Sequence, residues 1–269
     1  MSDSETLPAP FTPVMLDDGR ALPYAPFPIP PYREMTHGQW RCWQMSGLTG
    51  YGYFTGHQSH PQAAYGVMQD GTKSWMTMVP MEFESQMPAL HAAGGTVLVS
   101  GLGLAQMAYG LTCHPAVERV IVVERDPDLI ALAQRFAQID RWPNRGKLTI
   151  REGDMRHYRH EGPVDFLYVD IWLGYRGEGK VATMREIHHN NPAAKAAYWG
   201  QEVDALDWWI EHGGEAAGFD ARAFQAFAAH AGLPLIGLEE EIYPALCRLA
   251  GTNPNIPSLK QALEFRQFP

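Results

Sequence analysis

The chain has 269 residues, of which 45% are hydrophobic and 19% are charged, and its formal net charge is -9. This composition is typical of a folded chain with a real core, so it excludes disorder as the dominant state. The acidic balance, without any cluster of lysines and arginines, argues against nucleic acid or a membrane surface as a partner. We therefore expect a small-molecule substrate, and the length predicts one large domain with an appendage or two small domains.

The cysteines and the apolar runs narrow the class of protein further. Cys42, Cys113 and Cys247 are too few and too scattered for a disulfide framework or a zinc site, so no metal is expected. No apolar run approaches the ~18 residues of a membrane span, and the first residues do not resemble a signal peptide. These features favour the reducing cytoplasm. A homodimer is compatible with the sequence, which does not define the assembly.

Residues 1–56 are interpreted as a proline-rich arm followed by an aromatic lid. The arm lacks a periodic apolar pattern, which is typical of extended chain. Glu34–Met45 predicts a short helix capped near Thr36, and a loop rich in glycine and aromatic residues follows it. A plain surface connection is an equal alternative to the lid.

Residues 57–93 are expected to form a β-hairpin and a helix that leads into the main domain. Asp70-Gly71 is a strong signal for a two-residue turn, so the hairpin is placed over 64–80. A helix is predicted over 81–93, with an interruption at Pro88 and a stop at the two glycines that follow.

Residues 94–269 show alternating strands and helices, which predicts a parallel sheet with right-handed crossovers. The expected strands are Thr96–Ser100, Arg119–Val123, Lys147–Ile150, Val164–Val169 and Leu233–Leu238. The expected helices follow the first strand and occupy 126–138, 181–196, 197–212, 219–231, 241–250 and 257–266.

Polar and glycine residues follow these strands at the edge where ligands bind in an open parallel sheet. Gly101 and Gly103 follow the first strand, where the lack of a side chain lets the backbone approach a ligand. Glu124 ends the second strand, where a carboxylate accepts both hydroxyls of a ribose. Asp154 follows the third strand, and Asp170 ends the fourth.

The glycines alone do not define the ligand. A dinucleotide fingerprint requires a third glycine where Gln106 stands, so an adenosine without pyrophosphate fits this sequence better. The alternative is a tight turn between strand and helix that binds nothing. Because Glu124 and Asp154 stand at the corresponding ends of the next two strands, a nucleoside cofactor is favoured over that alternative.

The segments VLVSGLGLAQMAYGL, HPAVERVIVVERDPDLIALAQRF, LTIREGDM and VDFLYVDIW resemble class I S-adenosylmethionine (SAM)-dependent methyltransferases, within them the spermidine-synthase branch. The resemblance covers about residues 64–172. It implies a Rossmann-like α/β fold, a parallel sheet with helices on both faces, and SAM as cofactor or donor. It also implies that Gly101 and Gly103 face the methionine part of SAM, Glu124 the ribose and Asp154 the adenine. Met155 or Ile150 packs on the ring in this interpretation, and a core role is an equal alternative for either.

The acceptor site departs from that branch. Polyamine-binding members carry two acids in a segment of the type DSSDP after the fourth strand, whereas this chain has DIWLGYRG, which retains only Asp170.

Asp170, Tyr175 and Trp75 are the catalytic candidates, with Asp170 as the base, and Asp170 is also a candidate for binding the SAM amino group. The aromatic candidates for the acceptor pocket are Trp172, Tyr175, Trp75, Trp40, Trp43, Tyr51, Tyr53 and Phe54. Packing is the alternative for most of them. Glu82, Glu84, Ser85 and Gln86 are candidates for the amino-acid end of SAM, with a solvated surface as the alternative.

The leading hypothesis for the reaction is cyclisation of SAM by its own amine to azetidine-2-carboxylate and methylthioadenosine. The chain as a whole also resembles the small methyltransferase-like azetidine-2-carboxylate synthases. Methyl transfer to a small molecule is the main alternative, followed by spermidine-synthase-like aminoalkyl transfer to an external amine. A SAM-binding module without catalysis is the alternative outside the enzymes.

Overall fold

The computed structural model describes residues 28–45, 47–60, 63–71 and 73–256. Most of the predicted arm and the predicted helix over 257–266 lie outside the described residues. The strands are β1 (Met35–His37), β2 (Trp40–Met45), β3 (Leu48–Tyr51), β4 (His57–His60), β5 (Ala64–Gln69), β6 (Lys73–Thr77), β7 (Gly95–Ser100), β8 (Val117–Glu124), β9 (Leu148–Glu152), β10 (Val164–Val169) and β11 (Ala193–Tyr198). The α-helices are α1 (Pro80–Ala92), α2 (Gln106–Cys113), α3 (Pro127–Phe136), α4 (Lys180–Asn190), α5 (Gln201–Glu211), α6 (Ala221–Ala231) and α7 (Tyr243–Gly251).

The centre of the molecule is a parallel sheet in the order β11-β10-β7-β8-β9. Its central strand, β7, buries Val97, Leu98 and Val99, as expected of a strand covered on both faces. The chain runs outward from β7 to β9 and then returns to β10, so the strand order reverses beside β7. This reversal is the switch point at which open α/β sheets bind ligands. The prediction of a Rossmann-like fold is confirmed.

The helices begin where the sequence supplies caps and pack on the sheet. Asp126 accepts hydrogen bonds from the backbone N–H groups of Asp128 and Leu129, and Pro127 opens α3. α2 and α3 pack on β8, and α4 packs on β11. These contacts hold the carboxyl ends of the strands at one edge of the sheet.

The fifth strand of the sheet was predicted in the wrong place. The segment expected as two helices over 181–196 and 197–212 contains β11, which pairs in parallel with β10. The expected strand Leu233–Leu238 contributes only one bridge, between Ala196 and Leu235. An alanine-rich segment has high helix propensity, but pairing with β10 buries Ala196 and its successors and outweighs that weak preference.

The prediction of a helix over Glu34–Met45 is also wrong. The segment forms β1 and β2, joined at Gly38, whose φ of 56° suits a turn. Buried Trp40 and Cys42 flank exposed Arg41, a period of two that is typical of a strand. β2 pairs with β5 in the sheet β1-β2-β5-β6, which crosses the predicted boundary between residues 56 and 57. The predicted hairpin over 64–80 is confirmed as β5 and β6.

The segment that carries β3 and β4 is anchored to α1. The carboxylate of Glu84 accepts hydrogen bonds from Phe54 N at 2.7 Å and from Gln58 Nε2 at 2.6 Å. Tyr53 and Phe54 are buried, so this part of the predicted lid packs into the protein. α1 runs on through Pro88, where an interruption was predicted. In the described part of the chain, no helix is long and apolar enough to cross a membrane.

Candidate functional site

A cavity of about 350 Å³ opens at the carboxyl ends of β7, β8 and β10. Its volume lies at the lower end of the ~300–1,000 Å³ range of small-molecule sites. The residues predicted for the site that lie in the cavity lining are Trp40, Trp75, Glu82, Gln86, Gly101, Gly103, Glu124, Asp154, Met155, Asp170 and Trp172. Glu84 and Ser85 do not belong to the lining. We call Gly101, Gly103, Glu124 and Asp154 the glycine side of the cavity, and Glu82 and Asp170 the carboxyl side.

Gly101 and Gly103 shape the turn after β7. The φ of Gly101 is +92°, and a Cβ there would lie 2.3 Å from the carbonyl oxygen of Asp170. The φ of Gly103 is +48°, and a Cβ there would lie 3.0 Å from the sulfur of Met76. Only glycine fits the first position without a shift of backbone. The turn therefore brings backbone, rather than side chains, to the cavity.

Glu124 is held in place by the backbone around it. One carboxylate oxygen accepts from Leu102 N at 2.9 Å, and the other accepts from Asp126 N at 3.0 Å. The residue is 8% exposed and lines the cavity. Each oxygen retains a lone pair, so this fixed carboxylate has the geometry to accept hydrogen bonds from the two hydroxyls of a ribose.

Asp154 lies in the turn after β9 and is already paired. Arg156 donates from Nη2 at 2.6 Å and from Nε at 3.1 Å to the Asp154 carboxylate. These bonds to Arg156 lower the pKa of Asp154 to about 2. Met155 is buried beside it. An ionised carboxylate next to an apolar side chain suits the amino group and face of an adenine.

The N-terminal sheet forms one wall of the cavity. Trp40 and Trp75 line it, with their ring centroids 6.0 Å apart. Trp40 Nε1 donates to Asp126 at 2.8 Å, and Trp75 Nε1 donates to Gln69 at 3.1 Å. The wall is thus fixed to the start of α3. Of the aromatic residues predicted between 40 and 54, Trp40 alone is in the lining.

The carboxyl side holds two acids from distant parts of the chain. Asp170 follows β10, and Glu82 lies in the first turn of α1. Burial raises the pKa of Asp170 to about 7, while the nearby ammonium of Lys180 opposes that shift. Burial, and then the charge of Asp170, raise the pKa of Glu82 well above its usual range. Neither side chain has a hydrogen bond or ion pair with another residue that the structure describes. Partly buried carboxyls in this state favour a cationic ligand.

Four polar side chains that line the cavity are buried without partners. Both amide atoms of Gln86 and of Gln106 lack a hydrogen bond among the described residues, as do the hydroxyls of Ser100 and Tyr168. Each of these residues is at most 1% exposed. Buried polar groups are nearly always bonded in folded proteins. These atoms are therefore available to a ligand with polar groups of its own.

Tyr175 does not belong to the cavity lining. Its ring stacks on Tyr53 at 4.9 Å and packs on Trp199 at 4.1 Å, and Trp199 does line the cavity. Tyr175 is 8% exposed and lies one layer behind the site. Its predicted catalytic role stays a prediction.

Solved structures are similar to parts of the chain. A spermidine synthase in complex with the transition-state analogue AdoDATO is 15% identical, with a TM-score of 0.37 over 62% of this chain and 55% of that one. The glycopeptide N-methyltransferase MtfA with (S)-adenosyl-L-homocysteine is 15% identical, with a TM-score of 0.33 over 40% and 43%. The DhpI-SAM-HEP complex is 19% identical, with a TM-score of 0.31 over 42% and 51%.

The chain spans about half the length of these structures, and the scores are low, so the fold assignment depends on the strand order itself. No protein-family model and no curated protein matches the chain.

Several lining residues were not predicted from the sequence. Ser100, Gln106, Tyr168, Thr183 and Trp199 all contact the cavity. Ser100 is a polar residue at the end of an apolar strand, which is a usable signal for a site. The others lie in patterns that are typical of packing.

Among the described residues, no three His, Cys, Asp or Glu side chains are grouped to hold a metal ion.

Proposed function

We propose that this chain is a SAM-dependent enzyme that binds the adenosyl group on the glycine side of the cavity. The observation that carries the proposal is the Glu124 carboxylate, pinned between Leu102 N and Asp126 N at the rim of the sheet. Asp154 and Met155 then serve the adenine, and the unpaired amides of Gln86 and Gln106 serve the amino-acid part. The fold supports this proposal, because nucleoside ligands bind at the switch point of such sheets.

The carboxyl side supports an amine as the nucleophile. A base works best when its pKa lies near the working pH, and Asp170 has a pKa of about 7. Glu82 adds a second carboxyl to the same cavity, which stabilises a bound ammonium. This charge arrangement suits SAM, whose sulfonium and α-ammonium are both cationic.

The finer proposal is that SAM cyclises on itself. Asp170 accepts a proton from the α-ammonium, and the freed nitrogen lone pair attacks the γ-carbon of the same chain. The bond between that carbon and sulfur breaks, and the electron pair stays on sulfur as methylthioadenosine leaves. The other product is azetidine-2-carboxylate. The segment after β10 retains only Asp170 of the two acids that polyamine-binding relatives carry, which favours the amine of SAM itself over a polyamine as the nucleophile.

Aminoalkyl transfer to an external amine is the second candidate. Glu82 and Asp170 would hold that amine with the same charges, and the same carbon–sulfur bond would break. Methyl transfer, the third alternative, breaks a different bond and leaves S-adenosylhomocysteine.

The products formed from SAM alone distinguish these reactions. Purified protein is incubated with SAM and no acceptor, and the products are identified by mass spectrometry. Methylthioadenosine with azetidine-2-carboxylate supports cyclisation. Methylthioadenosine that forms only after a diamine is added supports aminoalkyl transfer, and S-adenosylhomocysteine supports methyl transfer. Absence of SAM binding and of any product overturns the proposal.

A further inference from the structure

Lys180 is a buried cation directly behind the cavity. It is the first residue of α4 and is only 1% exposed. Its ammonium donates hydrogen bonds to two backbone carbonyls, that of Tyr175 at 2.9 Å and that of Trp199. These carbonyls belong to the segments that follow β10 and β11. A buried charge is costly unless it is bonded in this way.

Aromatic rings enclose the same ammonium. The Nζ atom lies 4.8 Å from the ring centroid of Trp172 and 5.6 Å from those of Tyr198 and Trp199. Cation–π attraction at these distances is favourable for a desolvated cation. Trp172 and Trp199 also line the cavity, so the cage of Lys180 and the wall of the site share two side chains.

The backbone at Gly200 also encloses the Lys180 ammonium. A Cβ at Gly200 would lie 2.8 Å from the Lys180 Nζ and 2.5 Å from the Tyr175 carbonyl oxygen. The φ of Gly200 is +82°, which suits glycine. The ammonium is therefore confined between the segments that it joins.

Acidic groups from two parts of the chain act on Lys180. Asp204 and Glu202 lie on α5 and Asp170 follows β10, and each interacts electrostatically with the ammonium. Burial lowers the pKa of Lys180, and the charges of Asp204, Asp170 and Glu202 oppose that effect. Lys180 in turn lowers the pKa of each of these three acids against the effect of burial.

The surroundings of Asp170 hold further acidic groups. Glu82 on α1 and the Tyr168 and Tyr175 hydroxyls interact with it electrostatically. Among the groups that shift the pKa of Asp170, Lys180 is the cation, so its charge opposes protonation of this carboxyl.

We propose that Lys180 is a positioning residue for the carboxyl side: it joins the segments after β10 and β11, and its charge favours the ionised form of Asp170. The role of Asp170 as a base rests on the proposed function, but the effect of Lys180 on its protonation does not. The inference can therefore be tested without ligand.

The ligand-free test compares the melting temperatures of two proteins that differ only at residue 170, one with Asp170 and one with Asp170→Asn, over a range of pH. A carboxyl whose pKa is raised on folding destabilises the fold as pH rises from its unfolded to its folded pKa. The Asp170→Asn protein should thus gain stability over its Asp170 partner between about pH 4 and pH 7, the upper limit being the folded pKa of about 7. In a Lys180→Met background, this gain should continue for about one further pH unit.

Two further variants separate charge from packing. Lys180→Arg keeps the charge. In this background, the stability gained from Asp170→Asn should therefore level off at the same pH as in the wild type, even if turnover falls. Lys195→Met removes an exposed lysine of β11 and should change nothing. The inference is overturned if, in the Lys180→Met background, the stability gained from Asp170→Asn levels off at the same pH as in the wild type. If Lys180→Met does not fold, the neutral but polar Lys180→Gln takes its place: levelling at a higher pH than in the wild type supports the inference, and levelling at the wild-type pH overturns it.

Turnover supplies the second readout once SAM consumption is established. The rising limb of the pH–rate profile should lie near pH 7 in the wild type, at the pKa of Asp170. It should move upward in Lys180→Met and stay in place in Lys180→Arg. A merely structural lysine would lower the rate in both variants without moving the limb, which contradicts the inference. A wild type that consumes no SAM defeats the proposed function and leaves the ligand-free test intact.

Discussion

The glycine side and the carboxyl side of the cavity differ in how their charges are satisfied. Glu124 accepts two backbone hydrogen bonds and Asp154 is paired with Arg156, so both are bonded before any ligand binds. The side chains of Glu82 and Asp170 form no hydrogen bond or ion pair with the described residues, and burial raises the pKa of both, although the charge of Lys180 opposes this effect on Asp170. The first side is therefore bonded before any ligand binds, whereas the second becomes more favourable when a cationic ligand binds.

This difference predicts which property each side controls. Preorganised groups contribute binding energy without rearrangement, so changes on the glycine side should act on affinity. Groups with perturbed pKa values cluster where protons move, so changes on the carboxyl side should act on turnover. The substitutions below are ordered from the largest expected effect to the smallest.

Asp170→Asn should separate the two sides most clearly. The amide cannot accept the proton of an ammonium, so SAM turnover should fall by roughly 10²–10⁴-fold. SAM affinity, measured by calorimetry, should change much less. Asp140→Asn is the matched control, because the Asp140 side chain is 84% exposed. Normal turnover in Asp170→Asn would exclude this residue as the base.

Glu124→Ala should weaken SAM binding by about 100-fold, or roughly 3 kcal/mol, through loss of charged hydrogen bonds. The substitution also removes the acceptor of Leu102 N and Asp126 N. Glu118→Ala, an exposed position on the same strand, is the control for calorimetry. Equal affinity in Glu124→Ala and wild type would mean that the ribose does not bind there.

Gly101→Ala should affect both sides, because this glycine touches the backbone of Asp170. The added Cβ would lie 2.3 Å from the Asp170 carbonyl oxygen. We expect a melting temperature lower by about 5 °C and weaker SAM binding. Gly232→Ala has a similar φ of +62° but nothing within 4 Å, so it controls for backbone strain alone. Equal losses in the two variants would show that crowding at Asp170 is unimportant.

Asp154→Asn should have the smallest effect. Asp154 is partly exposed and shares its charge with Arg156, so the ligand gains less from it than from Glu124. SAM affinity should fall by only a few fold in the same calorimetric assay. A loss as large as that in Glu124→Ala would reverse the ranking of the two acids.

The glycine side could be predicted from sequence because its signals are local. Each of its residues lies at or just after the carboxyl end of a predicted strand, and parallel strands bring such positions to one edge. Continuous apolar runs predicted β7, β8 and β10, and Lys147–Ile150 predicted β9, each to within a few residues.

The carboxyl side depends on contacts that no local pattern shows. Glu82 and Asp170 meet only because α1 leads into β7, whose neighbour β10 ends at Asp170. Lys180 is a charged residue at the start of a helix, and lysines are almost always exposed, so nothing in the pattern indicates that it is buried. β11 and the strands in Glu34–Met45 were missed for a related reason, because tertiary pairing outweighed weak helix propensity.

A crystal structure of the protein with SAM or S-adenosylhomocysteine tests the central claim most directly. The account predicts a ligand with both ribose hydroxyls within hydrogen-bond distance of Glu124 and its amino group between Glu82 and Asp170. An adenosyl group bound elsewhere, or a cavity that stays without ligand at saturating concentration, would contradict it.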